Sequence, residues 1–276
     1  MEDIAVVTDS TADLPDDLVK LHRIYVVPNI MVIDGESVTD GQGMTREGFY
    51  RELPDMKSLP TTATASSGVY EQLYRDLFKQ GYSQIVSIHA ASLLSGINNA
   101  ASLAAQAFEN RIQVIDSQSI SLGLGFQALT AAEAALSHSV EEILAILEDV
   151  RRRIRVIAML DTLEFVRRSG RVSWARARLG EFLQIKPLIE VRGGKVFSLG
   201  EARTRRKGIE RIMEILGSLG KLERLAILHA DAEEDAQALL AAVSNEINHP
   251  PFCFQITTVI GTHTGPKALG FVAMMS

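Results

Sequence analysis

Residues 85–108 read IVSIHAASLLSGINNAASLAAQAF, and this stretch decides the fold class. Ile85–His89 is a short apolar run with the composition of a buried strand. Leu93–Gly96 is a loop, and Asn98–Phe108 is an Ala-rich helix. Strand, loop and helix in this order are the repeating piece of a βαβ unit. Upstream, Ile4–Asp9 reads as a buried strand, and Leu14–Leu21 as a helix entered through Pro15. Ile24–Ile33 reads as an extended β-branched segment ending at the turn Asp34-Gly35. Thr45–Leu53 is a short helix, Leu59–Ala65 a Pro/Thr loop, and 68–79 a further helix. Downstream lies the strand Val114–Asp116. Ser139-x-x-Glu142 is a capping box before a helix with apolar positions Val140, Ile143, Leu144, Leu147 and Val150. Alternation of this kind predicts a parallel α/β/α domain.

The pattern changes after the basic cluster Arg151–Arg155. Val156–Leu160 is a strand, and Leu188–Val191 and Lys195–Leu199 flank Gly193-Gly194, a two-residue hairpin turn. Leu225–Ala230, Phe254–Ile260 and Phe271–Met274 read as strands, with a helix around Ala236–Val243. A hairpin among scattered strands predicts a mixed-sheet α/β domain. The expected division is 1–154 and 155–276.

The 276 residues carry a net charge of −6, with 46% hydrophobic and 22% charged residues. An acidic balance argues against general nucleic-acid binding, which needs a basic face. The single Cys253 excludes an intramolecular disulfide and a Cys-based metal cluster, and fits a reducing compartment. The start of the chain is acidic and its apolar run, Ile4–Val7, is short, unlike a secretion signal. No apolar run reaches about 18 residues, so no membrane span is expected. A cytoplasmic protein is the expectation.

Five clusters carry candidate chemistry. Asp9-Ser10-Thr11 closes the first strand, where α/β sheets bind ligands and where capping residues also accumulate. The stretch 60–67, PTTATASS, offers neutral hydroxyl donors, or is a polar loop ending in a cap. Ser92-Leu93-Leu94-Ser95-Gly96 joins a strand to a helix N-terminus, whose free N–H groups suit an anion; Ser95 is equally placed as a plain cap. Gly261-Thr262-His263-Thr264-Gly265-Pro266 places a His in a Gly-flanked loop, with no second metal ligand at helical spacing. Arg167-Arg168-Ser169-Gly170-Arg171 and Arg203-Thr204-Arg205-Arg206-Lys207 are basic patches, either solvated or a docking face. The spacing Gly123-x-Gly125-x-x-Ala128 imitates a dinucleotide fingerprint, but it starts too far beyond Asp116. A P-loop and a G-x-S-x-G elbow are both missing.

The segments IAVVTDSTADLP (4–15), VVPNIMVIDG (26–35), LPTTATAS (59–66), SIHAASLLSG (87–96), VIDSQSISLGLGF (114–126), DTLEFVRRSGRVS (161–173), LGEFLQIKPLI (179–189) and IGTHTGPKALG (260–270) resemble, in order, the DegV family of bacterial fatty-acid-binding proteins. The resemblance implies two domains with a long-chain fatty acid, such as palmitate, in a tunnel between them. It implies no other cofactor and no catalysis by this chain. It implies that Thr62, Ser95 and His263 hold the carboxylate, with Thr61, Ser92 and Gly96 nearby. It further implies presentation of the acid to a separate ATP-dependent fatty acid kinase, with Arg203 and, less directly, Arg171 at the docking face. The chain departs from the family at Ala63-Thr64-Ala65, where Ser-Gln-Pro is usual, and at Ile97, where Thr is usual. A competing reading is a serine hydrolase that cleaves acyl esters through Ser95 and His263, since triads are set by geometry rather than order.

Overall fold

The computed structural model describes residues 3–172, 174–175 and 185–276. The chain divides into two compact units, 1–30 with 63–153, and 31–62 with 154–276. The second unit thus includes 31–62, a segment that the contiguous division at 154 placed with the first.

The first unit is built on a four-stranded parallel sheet. Its strands are β1 (Ile4–Asp9), β2 (Ile24–Val27), β6 (Gln84–His89) and β7 (Ile112–Asp116), in the order β2-β1-β6-β7. Every residue of β1 is buried, as expected for a strand covered on both faces. The helices of this unit are α1 (Asp16–Leu21), α3 (Ser67–Lys79), α4 (Ile97–Ala105), α5 (Leu122–Ala134) and α6 (Val140–Arg153). The capping box forms at α6: Ser139 N–H donates to Glu142 Oε2 at 2.8 Å, and Glu142 N–H donates to Ser139 Oγ at 3.3 Å. Its apolar stripe, Val140, Ile143, Leu147 and Val150, is buried. Helix α5 escapes the sequence pattern because 11 of its 13 residues are buried. A helix apolar all round has no stripe to read.

The second unit carries a six-stranded mixed sheet. Its strands are β8 (Ile154–Met159), β9 (Lys186–Arg192), β10 (Lys195–Ala202), β11 (Leu222–His229), β12 (Phe252–Gln255) and β13 (Leu269–Met275). They lie in the order β10-β9-β8-β13-β11-β12, antiparallel except for the pair β11 and β12. The predicted hairpin joins β9 to β10, with Gly193 and Gly194 at φ of 55° and 74°. Two successive positive φ values match the right-handed twist of the strands. Helices α8 (Arg205–Gly217) and α9 (Glu233–Ala241) cover this sheet through Ile212, Leu216 and Leu239, which pack with Ile157, Leu225, Ile227 and Phe271. Each such side chain contributes about 1.5–3 kcal/mol of burial. A small sheet, β4-β3-β5, is formed by β3 (Ile30–Ile33), β4 (Glu36–Thr39) and β5 (Thr61–Ala63), with α2 (Arg46–Glu52) between β4 and β5; α7 (Glu164–Ser169) and α10 (Thr258–Thr264) lie later in the second unit.

Three sequence expectations are corrected. Ile24–Ile33 is not one extended element: Pro28 and Asn29 break it, and β2 and β3 join different sheets. The loop Leu59–Ala65 contains β5. The strand expected over Phe254–Ile260 stops at Gln255, and helix α10 begins at Thr258. The β-branched run Thr257-Thr258-Val259-Ile260 favours a strand by propensity. Tertiary packing overrides that preference, with Tyr50 lodged against Gly261 and bonded to Ile256 O and Thr257 O, and threonines inside the helix satisfy their hydroxyls on the preceding turn. Thr262 Oγ1 donates to Thr258 O at 2.9 Å, and Thr264 Oγ1 to Ile260 O at 3.3 Å.

Candidate functional site

In the second unit, His263 lies in the last turn of α10 rather than in a loop. The helix is held closely. Tyr50 of α2 is buried, and its hydroxyl donates to Thr257 O at 3.1 Å and Ile256 O at 3.3 Å. Gly261 makes room for that ring, since a Cβ there would sit 2.1 Å from Tyr50 Oη. Thus fixed, the His263 ring meets Thr62 of β5 across 201 residues of sequence, with Nε2 and Oγ1 2.9 Å apart. Either atom can be the donor, depending on the imidazole tautomer. Burial, with the Arg171 charge acting in the same direction, pushes the His263 pKa down to about 4. The ring is therefore neutral at pH 7. Thr61, next to Thr62 on β5, is exposed where Thr62 is half-buried, so the alternation of the strand separates the two hydroxyls.

In the first unit, β6 runs into the loop Ala90–Gly96 and then α4. Ser95 is half-buried, and its Oγ accepts a 3.4 Å hydrogen bond from Ile97 N–H. Its own N–H donates to Ala91 O at 3.1 Å, and Ala100 N–H to Gly96 O at 3.1 Å. Ser92 is bonded within the unit. Its hydroxyl and N–H both bind the Asp116 carboxylate, at 2.5 Å and 3.3 Å, which ties the loop to the end of β7. Gly96 precedes α4 in the N-cap position.

Beneath this loop is a polar centre that the sequence only half disclosed. Asp9, at the end of β1, has no exposure. Its Oδ1 accepts from Thr11 N–H, Thr11 Oγ1 and Asn29 Nδ2, and its Oδ2 pairs with His89 Nδ1 at 3.0 Å and accepts from Ala90 N–H at 3.2 Å. His89 Nε2 lies 2.7 Å from Ser87 Oγ, which lies 2.8 Å from the Tyr74 hydroxyl. Burial alone would push the Asp9 carboxyl up, but the His89 hydrogen bond and charge, with Thr11 and Ala90 N–H, outweigh it and hold the carboxyl below its usual range. The signal was available in register. Val7 pairs with Ser87 on adjacent parallel strands, so Asp9 and His89 share a level two residues on.

Asp9, His89 and Ser87 have the connectivity of a catalytic triad, yet Ser87 and His89 have no exposure to a substrate. At His263 the partner is Thr62, and among the described residues no carboxylate orients the ring. A hydrolase base needs both a nucleophile and an orienting group. The hydrolase reading thus has no assembled triad open to substrate among the described residues.

The basic clusters are spent unequally. Arg205 binds Asp235 at 2.6 Å and Lys267 O at 2.7 Å, and Arg168 pairs with Glu164. Arg171 donates to Ser169 O at 3.0 Å. Arg203 is exposed at the end of β10, immediately before Thr204, the N-cap of α8. Among the described residues no cluster of three His, Cys, Asp or Glu could hold a metal, and no helix is long and apolar enough to cross a membrane.

A parallel-sheet unit and a separate mixed-sheet unit, each offering neutral hydroxyl donors, define a two-unit α/β protein. The family model described as "Uncharacterised protein, DegV family" matches residues 3–276, and the chain belongs to the DegV family. Protein DegV of Bacillus subtilis is 35% identical over 274 residues, covering 97% of each chain. A DegV domain-containing protein of Caldanaerobacter subterraneus is 35% identical over 276 residues, covering 98% of each. Among solved structures, a DegV family protein from Thermus thermophilus, described as fatty acid binding, superposes with a TM-score of 0.92 at 32% identity over 100% of both chains. Bacillus subtilis DegV, described as a fatty acid binding protein, gives 0.88 at 33% identity, again over 100% of both chains.

Proposed function

We propose that this protein binds a long-chain fatty acid without chemically altering it, and that Thr62, His263 and Ser95 hold the carboxylate. The observation that carries the reading is the Thr62–His263 pair, a hydroxyl and a neutral imidazole brought to 2.9 Å by elements far apart in sequence. Its support is the DegV family membership and the fatty acid binding described for the Thermus and Bacillus relatives. The energetics are sufficient. Burying about fourteen methylenes yields roughly 11 kcal/mol before ordering costs. A desolvated carboxylate needs hydrogen bonds of about 1.5–3 kcal/mol each, which hydroxyls and an imidazole N–H supply. Ser92 is tied to Asp116, Gly96 at the N-cap of α4 has no side chain to block a head group, and Thr61 is exposed beside Thr62.

The finer proposal is that the bound acid is offered to a separate ATP-dependent kinase, which phosphorylates the carboxylate, and that Arg203, with Arg171, faces that partner. Exposure of Arg203 beside the N-terminus of α8 fits such a contact.

The test is native mass spectrometry and lipid extraction of purified protein, followed by titration with palmitate. Wild type should carry or take up one fatty acid. Thr62→Val and Ser95→Ala should each weaken binding by about tenfold or more, the loss of one hydrogen bond to a charged group. Protein that neither carries nor binds a fatty acid overturns the proposal; unchanged affinity in both variants removes these residues from the head-group site.

A further inference from the structure

The carboxylate of Asp9 is bonded to Thr11, Asn29, His89 and Ala90, and nothing in the proposed binding chemistry uses it. Yet it is heavily bonded. Five donors converge on two oxygens, from three separate pieces of chain: Thr11 just after β1, Asn29 just after β2, and His89 with Ala90 at the exit of β6. The last of these is the start of the loop that carries Ser95. In the sheet order β2-β1-β6-β7, the connection leaving β1 runs to β2 on one side and the connection leaving β6 runs to β7 on the other. Asp9 thus stands at the point where the strand order reverses, beyond which α/β sheets receive ligands.

A buried carboxylate can hold backbone amides in place more firmly than a neutral acceptor, because a charge-assisted bond is about twice as strong. The brace continues behind it. His89 is fixed at Nε2 by Ser87, Ser87 by Tyr74, and the His89 and Tyr70 rings pack edge-to-face with centroids 5.2 Å apart. His89 is thereby held to present Nδ1 to Asp9, and Ala90 N–H lies beside it. On the far side of the loop, Ala91 N–H donates to Ser119 O at 2.9 Å and Ser92 is tied to Asp116. The first three residues of the loop are therefore clamped in succession, and Ser95 follows on the turn closed by Ala91 O.

We propose that Asp9 is a positioning residue for the fatty acid head group: through Ala90 N–H and His89 it sets the Ala90–Gly96 loop, and so the place of the Ser95 hydroxyl and the free N–H groups of α4. The proposal rests on the fatty-acid reading above and adds the element that prepares the site before ligand arrives. A preorganised donor set binds more tightly because the ordering cost is already met by the fold.

Asp9→Asn keeps the volume but turns an amide NH2 toward one of its present donors, Thr11 and Asn29 on one side or His89 and Ala90 on the other. It should lower palmitate affinity about tenfold or more, the scale of a lost charge-assisted bond. It should also speed amide hydrogen exchange in residues 90–97 with little change in α6, which does not touch Asp9. His89→Asn, whose Nδ2 can stand in for the imidazole Nδ1, should retain more affinity than His89→Leu, which cannot donate to Asp9. That ordering is one that simple loss of packing does not give, because Leu fills the apolar space better than Asn. Wild-type affinity in Asp9→Asn with unchanged exchange at 90–97, or equal losses in both His89 variants, would overturn the proposal. A wild-type chain that takes up no fatty acid refutes the ligand reading instead, and the exchange experiment then decides the brace alone. Should Asp9→Asn not fold, the two His89 variants carry the decision.

Discussion

Lowering the pH should destabilise the protein through His263, by an amount that follows from its burial. The folded-state pKa of His263 is about 4, against an ordinary value of 6.5. Above pH 6.5 the ring is neutral in folded and unfolded chains alike, and its contribution is fully present. As the pH falls, the unfolded chain takes up the proton first, so folding becomes less favourable until the folded ring also protonates near pH 4. The linkage relation gives a loss of about 2 kcal/mol by pH 5 and about 3 kcal/mol by pH 4. His229, whose pKa is also lowered by burial, and the depressed Asp9 act in the same direction. Their share is removed by comparison with His263→Gln, whose Nε2 can still reach the Thr62 hydroxyl but does not titrate. Urea unfolding at pH 7, 5 and 4 is the assay. Wild type should lose about 2 kcal/mol more than His263→Gln between pH 7 and pH 5. Parallel losses in the two proteins, or an NMR titration of the His263 ring centred near 6.5, would refute the claim that this imidazole is held neutral by its surroundings.

Gly261→Ala should cost about 2–4 kcal/mol in urea unfolding, because the new Cβ meets the Tyr50 ring, and displacing it also breaks the hydroxyl bonds that hold α10; a loss below about 0.5 kcal/mol would mean the ring is not wedged there. Arg203→Ala should leave stability and palmitate affinity unchanged, within about 0.5 kcal/mol for an exposed side chain, while lowering phosphorylation of bound acid by the kinase. Unchanged kinase turnover would remove Arg203 from the docking face.

How legible the fold was depended on how each element earns its stability. Helix α6 was readable because its signals are local: a capping box and a stripe of Val140, Ile143, Leu147 and Val150 on one face. The β9–β10 hairpin was readable because two glycines must supply positive φ. Helix α5 was not, because burial on all sides leaves no periodic contrast. Helix α10 read as a strand because β-branched residues favour strands locally, whereas its packing against Tyr50 is made from 200 residues away in the chain, with Tyr50 Oη on Thr257 O separated by 207 positions. The site followed the same division. Thr62, Ser95 and His263 stood out as hydroxyls and a His in Gly-flanked or strand-terminal segments, whereas the bond of Ser92 to Asp116 and the differing exposure of Thr61 and Thr62 depend on tertiary packing.

The amino-acid sequence alone determined the family, the two kinds of α/β architecture and the residue types available to grip a carboxylate, because these rest on local composition and on motifs that survive in order along the chain. Tertiary structure alone decided that Thr62 meets His263, that His263 stays neutral, and that Asp9 gathers five donors under the Ser95 loop. The physical reason is that a hydrogen bond or a pKa depends on distance and burial, and neither is fixed until segments far apart in sequence are packed together.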